Sequence, residues 1–321
     1  MSAWRVVLVV AVALLSSVRA SSGGTFDTKT AGFAVVFHGE RSAYRHTSVV
    51  VMPGEVVIFD AAGPAGEYHV KTDHGIVVQQ STRQFRYTAP DRPGTYELTF
   101  LGPGKNEAHD DIVVHAFVMV SATQVRNGFL NGYRIGDYPS APRKGNPIYL
   151  PPRGFIEVTK ENQDTKVSPH FTLKQFLCKE DTTRTFPKYV LLKERLLLKL
   201  EAVLERVNEL GVKVETLNVM SSYRTPYYNH AIGDVKYSMH QWGSAADIYI
   251  DPEKKNRMDD LNRDGRVDIQ DAKFLYDEIE QLVSTKEYRR FEGGLGYYPA
   301  TSAHPPFVHV DVRGTAARWK G

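Results

Sequence analysis

Cysteine is almost absent from this chain, since Cys178 is the only one among 321 residues. An internal disulfide is therefore excluded, and we expect Cys178 to pack as a small apolar residue beside Leu177. No cysteine follows the N-terminal apolar segment at a position suited to a lipid anchor, which argues against a lipoprotein.

Long apolar runs are missing as well. A short one lies at the N-terminus, where Arg5 precedes residues 6–15 and Val18-Arg19-Ala20 offers an acceptable cleavage site. A membrane-spanning helix needs about 20 apolar residues, so this run is too short for one. Residues 1–20 are predicted to be a secretory signal peptide. The remainder is predicted to be exported, to lie in the periplasm and to have no stable membrane insertion.

The excess of positive charge is small. The formal net charge of +3 at pH 7 falls to +1 once Arg5 and Arg19 of the predicted signal are removed. Nucleic-acid binding depends on clustered positive charge, so this balance gives no support to a nucleic-acid partner. The length that remains after cleavage suits two domains.

Short apolar runs occupy the first part of the exported chain. They cover residues 34–37, 48–51, 55–59, 75–78, 85–87, 96–100 and 112–118. Turn signals such as Pro53-Gly54 and Pro93-Gly94 separate them, a pattern typical of packed antiparallel sheets. We predict an all-β immunoglobulin-like sandwich over residues 25–122. A wall-binding or positioning role and a plain spacer remain equally open for it.

An ordered linker or small subdomain is predicted over residues 123–167, because its glycines and prolines are interspersed with aromatic residues that can pack. A second domain is predicted over residues 168–321. Leucines and valines recur at helical spacing before Gly211, which predicts a core helix over residues 189–210. A strand is predicted over residues 212–219, so this domain is expected to be α+β with a small antiparallel sheet.

Two histidines and one aspartate offer a set of metal ligands. His240 and Asp247 lie in one short segment, and His309 lies in a probable strand near the C-terminus. Two imidazoles and a carboxylate can form an open zinc site, which has three protein donors and a free position for water. A lone histidine is more often structural and a lone aspartate often belongs to a turn, so the hypothesis depends on all three.

The segment from Ser238 to Asp247 resembles the first motif of the M15 metallopeptidases, Ser-x-His-x-x-Gly-x-Ala-x-Asp. These are the D-Ala-D-Ala carboxypeptidase and dipeptidase branch of the lysostaphin/D-Ala-D-Ala/hedgehog superfamily. Residues 222–229, 294–297 and 309–313 are also similar to segments of that family, so the resemblance covers residues 168–314. It implies an M15-like zinc peptidase domain that acts on peptidoglycan stem peptides, cross-links or muropeptides.

The same resemblance implies roles for individual residues. His240, Asp247 and His309 would bind Zn²⁺, and Arg224 would steady the substrate carbonyl or the developing oxyanion. An arginine beside tyrosines can instead be a stacked surface residue. Tyr223 and Ser238, in the same motifs, are expected to contact the substrate.

The general base is where the chain departs from its better-known relatives. Several branches place a histidine two residues, or an acidic residue three residues, before the last metal-binding histidine. Phe307 and Pro306 occupy those positions here, and neither can transfer a proton. Asp311 is the first candidate because it shares a strand face with His309, although it could equally orient a ligand histidine.

His304 and Glu292 are further candidates for the base. The absence of a base at the usual positions also motivates an alternative function. In that alternative the protein is a non-catalytic, zinc-containing peptidoglycan-binding protein.

Residues 260–271 follow the twelve-residue spacing of an EF-hand calcium loop. The predicted ligands are Asp260, Asn262, Asp264, the backbone carbonyl of Arg266, Asp268 and Asp271. The final Asp in place of Glu is similar to dockerin-type loops. Helical spacing over residues 272–283 supplies an exiting helix, whereas residues 251–259 are polar and contain Pro252. Ca²⁺ is predicted as a structural brace, with a solvated acidic turn as the other interpretation. A calcium-dependent adhesion module would explain this loop but would leave the zinc motif unused.

Overall fold

The computed structural model describes residues 26–103, 111–180 and 185–321. The predicted signal peptide lies outside the described residues. Within the described ranges, no helix is both long enough and apolar enough to cross a membrane.

In the described residues of the N-terminal part, nine strands form two sheets. They are β1 Thr30–Phe37, β2 Glu40–Tyr44, β3 His46–Val51, β4 Val56–Ala62, β5 His69–Thr72, β6 Ile76–Gln79, β7 Gln84–Thr88, β8 Gly94–Leu101 and β9 Asp111–Val118. The strand orders are β2-β1-β4-β7-β6 and β3-β9-β8-β5. Both sheets are antiparallel except that β3 and β9 pair in parallel.

Alternating burial explains why these runs form sheets. In β4, Val57, Phe59 and Ala61 are buried while Val56 and Ile58 are exposed. Such side chains from both sheets share one core. The structure confirms strands at all seven predicted runs. The immunoglobulin-like topology and the domain boundaries stay predictions.

Short strands and 3-10 turns fill the middle of the chain. The strands are β10 Val120–Ser121, β11 Phe129–Leu130, β12 Tyr133–Arg134, β13 Gly154–Val158, β14 Lys166–Ser168, β15 Phe171–Thr172 and β16 Lys188–Val190. Part of this region packs on the zinc motif, because Trp242 Nε1 donates to the Leu150 carbonyl at 2.9 Å and the Tyr138 hydroxyl donates to the Gln241 carbonyl at 2.8 Å.

Three helices and a five-stranded sheet form the C-terminal part. The elements are α1 Glu194–Glu209, β17 Asn218–Ser221, α2 Pro226–Ala231, β18 Ala245–Tyr249, α3 Ile269–Ser284, β19 Gly294–Tyr298, β20 Phe307–Asp311 and β21 Ala317–Lys320. The sheet order is β17-β18-β20-β19-β21. The predicted antiparallel arrangement is wrong at one edge, where β21 runs parallel to β19. The predicted core helix begins later than expected because Lys188–Val190 forms a strand.

The two faces of this sheet differ in character. Ala246 and Ile248 of β18, with Val308 and Val310 of β20, are buried in the core shared with α1 and α3. Because side chains alternate along a strand, Asp247, His309 and Asp311 share the opposite face. That face carries the metal-binding candidates.

The N-terminal sheets contact the C-terminal part along α1 and β14. Glu40 of β2 forms an ion pair with Arg195 at 2.6 Å, and Tyr44 donates to Glu205 at 2.9 Å. The Ser48 hydroxyl of β3 donates to the Val167 carbonyl at 2.7 Å. The two parts are therefore joined by polar contacts as well as by apolar packing.

Candidate metal centre

Strand register and one tight turn bring the three metal-binding candidates together. Asp247 of β18 lies directly opposite His309 of β20. His240 lies in a 3-10 turn, Met239–Trp242, that ends at Gly243 with φ +62°. A Cβ at Gly243 would lie 2.2 Å from the Leu191 carbonyl, so both the backbone conformation and the close approach require glycine.

The donor atoms converge on one point. His309 Nδ1 lies 2.9 Å from Asp247 Oδ1, and His240 Nε2 lies 3.1 Å from His309 Nδ1 and 3.2 Å from Asp247 Oδ1. Ligands about 2.0–2.2 Å from a tetrahedral zinc lie about 3.3 Å from one another. The spacing of the three atoms therefore fits zinc, and all three residues are buried.

The outer ring nitrogens explain why a cation fits here. His240 Nδ1 lies 2.6 Å from the Ser222 carbonyl, and His309 Nε2 lies 3.3 Å from Asp311 Oδ2. If each ring donates its proton to that outer acceptor, the nitrogens that face Asp247 carry lone pairs. Two nitrogen lone pairs and a carboxylate oxygen then point at each other, an arrangement that a cation stabilises.

Electrostatic interactions shift the pKa values of the three residues in different directions. Burial lowers the pKa of His240, which favours its neutral form. Burial alone would raise the pKa of Asp247, but interactions with His240 and His309 outweigh it and hold that pKa well below its usual range. Burial alone would lower the pKa of His309, but hydrogen bonds with Asp247 and Asp311 outweigh it and raise that pKa.

Asp311 contacts the outer ring nitrogen of His309, and its role as general base stays a prediction. It is fully buried and accepts hydrogen bonds from the Gly294 backbone at 2.7 Å and from the Arg313 side chain. Burial would raise its pKa, but the hydrogen bonds from His309 and Arg313 hold that pKa well below its usual range. These contacts are those of a carboxylate that orients the His309 ring.

Arg224 lies beside the converging donors. Its guanidinium forms an ion pair with Asp247 Oδ2 and another with Asp234 Oδ2 at 2.7 Å, and Nε donates to Ser221 Oγ at 2.9 Å. The Arg224 side chain is 13% exposed to solvent. Three of its five N–H groups are used in these contacts, which leaves two for a substrate.

The other predicted site residues are not joined to the metal ligands. Tyr223 is fully buried, and its hydroxyl lies 3.2 Å from that of Tyr138. Ser238 is buried and starts the 3-10 turn without capping it through its side chain. His304 packs edge-on against Phe307 at 4.9 Å, and Glu292 follows a separate 3-10 turn, Arg289–Phe291. Neither is hydrogen-bonded to the converging donors.

The predicted calcium loop does not bring its acidic side chains together. Asp271 is fully buried, and its two oxygens accept backbone N–H groups of Leu261, Asn262 and Asp268. Among the described residues, His240, Asp247 and His309 form the only cluster of three or more His, Cys, Asp or Glu side chains close enough to share a metal ion. Asp271 thus stabilises the start of α3 as part of a capping box.

Several residues at the site were missed by sequence reasoning. The Ser222 carbonyl contacts His240, and Asp234 contacts Arg224. Ser222 was part of a recognised segment, but nothing in the sequence indicated that its carbonyl faces His240, and no local pattern marks Asp234. Arg313 was part of the recognised segment, but nothing in its spacing indicated that it holds Asp311. Trp319 lies 5.1 Å from the His309 ring, measured between ring centroids, and donates to the Tyr298 hydroxyl at 2.6 Å.

Comparisons with known proteins point to a peptidase. Residues 169–276 match the family model described as Peptidase M15, a stretch that includes His240 and Asp247 and ends before His309. This match supports an M15 peptidase domain in the C-terminal part, and the converging His-Asp-His ligands agree with the zinc dependence of such peptidases. No curated protein is similar enough to the chain to count as a match.

One solved structure is similar over a short region. It is described as a nucleoside hydrolase-related hypothetical protein from Saccharophagus degradans that is associated with carbohydrate metabolism. The identity is 12%, the similarity covers 28% of this chain and 26% of that chain, and the TM-score is 0.21. The chain thus spans about a quarter of that protein's length, and this similarity carries no argument about fold or function.

Proposed function

We propose that the protein is a zinc-dependent peptidase that hydrolyses stem peptides or cross-links of peptidoglycan outside the cytoplasm. The observation that carries the proposal is the convergence of His240 Nε2, Asp247 Oδ1 and His309 Nδ1 within 3.2 Å of one another. The match of residues 169–276 to the M15 peptidase model supports the peptidase class. The motif from Ser238 to Asp247 supports peptidoglycan as the substrate, and the apolar N-terminal segment supports export.

Each residue around the site has a part in the proposed hydrolysis. When bound, zinc supplies a Lewis acid that polarises a carbonyl and makes water more acidic. His240, Asp247 and His309 would hold the ion, while the Ser222 carbonyl and Asp311 fix the orientation of the two rings. The unused N–H groups of Arg224 can hold a carbonyl or carboxylate of the substrate.

The net reaction adds water across one peptide bond. The water oxygen bonds to the carbonyl carbon and the C–N bond breaks. The products are a carboxylate and an amine, and the amine nitrogen takes up a proton from water. Any cleavage product should therefore contain one more water than the intact peptide.

The experiment that tests this function is digestion of purified bacterial sacculi and of muropeptides prepared from them. The mature protein is loaded with zinc, and the products are identified by mass spectrometry. We expect about one zinc per chain and fragments that correspond to a single type of cleaved peptide bond. The identity of those fragments would establish which bond is cut.

A matched variant separates specific cleavage from contamination. His240→Ala removes one ligand and should lose both zinc and cleavage, whereas His69→Ala changes an exposed histidine of β5 and should lose neither. Full zinc content in His240→Ala would contradict the proposed site. A wild-type protein that holds zinc and binds sacculi but releases no fragment would instead support the non-catalytic alternative.

We also propose that residues 260–271 bind Ca²⁺ as a structural ion. The support is the spacing of oxygen-bearing side chains in the sequence and the sharp turn at Gly265, which has φ +85°. Asp260 already closes the loop by accepting the backbone N–H groups of Asp264 and Gly265 at 3.1 and 2.8 Å. To bind calcium, the Asp271 carboxylate would have to give up hydrogen bonds that it now accepts from backbone N–H groups.

A further inference from the structure

The metal face of the C-terminal sheet includes a tyrosine that the proposed function has not used. Tyr298 ends β19 and lies opposite Phe307 of β20, two positions along from the pair formed by Gly296 and His309. Because alternate residues share a face, Tyr298 and Gly296 lie on the same side of the sheet as His309. The Tyr298 ring stacks on Phe307 with centroids 4.5 Å apart and an interplanar angle of 6°.

Trp319 fixes where the Tyr298 hydroxyl lies. The parallel pairing of β19 with β21 places Trp319 beside Gly296. A Cβ at Gly296 would lie 2.3 Å from Trp319 Nε1, so the indole nitrogen covers this glycine directly. The indole centroid is 5.1 Å from that of His309, and its N–H donates to the Tyr298 hydroxyl at 2.6 Å. The hydroxyl is thereby held close to the metal-binding histidine.

The hydroxyl has a proton left to donate. It accepts the indole N–H, and among the described residues no acceptor takes its own proton. Burial raises the pKa of Tyr298 above its ordinary value; the hydrogen bond from Trp319 opposes this shift, and the negative charges of Asp247 and Asp234 add to it. The phenol therefore stays protonated at neutral pH and keeps an O–H that can donate.

We propose that Tyr298 is a catalytic residue whose hydroxyl donates a hydrogen bond to the carbonyl oxygen of the scissile peptide bond. The bond strengthens as the carbonyl π electrons move onto that oxygen, and no proton is transferred. Trp319 acts as a positioning residue. Its N–H donates to one lone pair of the Tyr298 oxygen, so the Tyr298 O–H must point away from the indole. This inference rests on the proposed peptidase function and adds a donor to the one that Arg224 supplies.

The test compares Tyr298→Phe with Tyr297→Phe, the same change at the next residue of the strand. Tyr297 points to the opposite face, where its ring lies 5.1 Å from that of Tyr276 in α3. Loss of one oxyanion donor typically lowers kcat by about 10²–10³-fold. We expect that loss in Tyr298→Phe with a smaller change in KM, and near wild-type rates in Tyr297→Phe. Zinc content and Tm should be unchanged in both.

A binding measurement tests the donor without relying on turnover. Acetohydroxamate is a small zinc-binding probe with oxygen atoms that can accept the Tyr298 hydrogen bond. Calorimetric titration of the zinc-loaded proteins should show about tenfold weaker binding to Tyr298→Phe, and unchanged binding to Tyr297→Phe. Trp319→Phe, which keeps an aromatic ring but lacks the N–H, should weaken acetohydroxamate binding by a smaller factor.

The outcomes separate this inference from the function on which it rests. If the wild type cleaves its substrate and Tyr298→Phe retains its kcat, Tyr298 is not catalytic and the peptidase proposal stands. If Tyr298→Phe loses zinc or has a lower Tm, the residue is structural and the inference is wrong. If the wild type is inert, the peptidase proposal fails, and acetohydroxamate still decides whether Tyr298 donates into the site.

Discussion

His309 Nε2 lies 3.3 Å from Asp311 Oδ2, on the opposite side of the ring from the nitrogen that faces Asp247. Asp311 is itself held by the backbone N–H of Gly294 and by the side chain of Arg313. The orientation of a proposed metal ligand therefore depends on a carboxylate on the far side of its ring. Partners of this kind set the tautomer and basicity of a ligand histidine.

Asp311→Asn should weaken zinc binding by about 10–100-fold, because a neutral amide is a poorer acceptor for the His309 N–H. The affinity can be measured by competition with a chromophoric chelator. Cleavage at saturating zinc should fall less than the zinc affinity does. Glu292→Gln is the matched control, since Glu292 is not hydrogen-bonded to the converging donors. Unchanged zinc affinity together with abolished cleavage would restore Asp311 as the general base.

Arg224→Lys should lower kcat/KM by about 10²-fold, because a lysine cannot hold Asp247, Asp234 and a substrate oxygen at once. Zinc content should remain near one per chain at saturating metal. The measurement is steady-state cleavage of the muropeptide identified from sacculi. Asp234→Asn serves for comparison because it removes an anchor of Arg224 and leaves the guanidinium in place. Equal losses in the two variants would mean that Arg224 only orients Asp247.

Much of the fold could be predicted because burial leaves a local pattern. The seven apolar runs became strands, and the spacing after Asp271 became α3 Ile269–Ser284. Within the two N-terminal sheets, the strands that were missed are β2 and β5, which are edge strands with short or no apolar runs. Without an apolar run, their sequences carry no local signal of burial.

The grouping of His240, Asp247 and His309 could be predicted, but the residues around them could not. His240 and Asp247 lie in one recognisable segment, and His309 shares a strand pattern with Asp311. The sequence allowed Asp311 to be a base or an orienting group, since spacing alone does not say which ring nitrogen it contacts. Trp319 and Tyr298 meet only because β21 pairs with β19, a long-range pairing that no local pattern encodes.

Millimolar calcium should raise the Tm of the wild type but not that of Asp264→Ala. Binding to the folded state alone stabilises it by RT ln(1 + [L]/Kd), or about 2.7 kcal/mol at a hundredfold excess over Kd. Differential scanning calorimetry with calcium or chelator measures the shift, and zinc content should stay the same in both proteins. Magnesium at equal concentration controls for ionic strength. No response in the wild type would mean that residues 260–271 form a solvated turn braced by Asp260 and Asp271 alone.

Two stacked histidines should make the fold acid-sensitive. His46 of β3 and His115 of β9 have ring centroids 5.7 Å apart at an interplanar angle of 7°. Burial lowers both pKa values to about 4, and for His46 the charges of His115 and Lys166 lower it further while Glu97 opposes them. Among the described residues, neither His46 Nδ1 nor His115 Nε2 has a hydrogen-bond partner. Protonating either ring in the folded state is therefore unfavourable.

The sign of the effect follows from the folded pKa values lying below the unfolded value of about 6.5. As pH falls from about 6.5 to 4, the unfolded chain binds protons that the folded chain does not, so the free energy of unfolding decreases. The upper limit is about 1.4 kcal/mol per pH unit for each histidine, and solvent screening of these partly exposed residues reduces it.

Urea denaturation at pH 7, 6 and 5 measures this effect. The free energy of unfolding should decline less steeply with falling pH for His46→Gln and His115→Gln than for the wild type. His69→Gln changes an exposed histidine of the same sheet and should decline like the wild type. Identical slopes in all four proteins would show that acid sensitivity arises elsewhere.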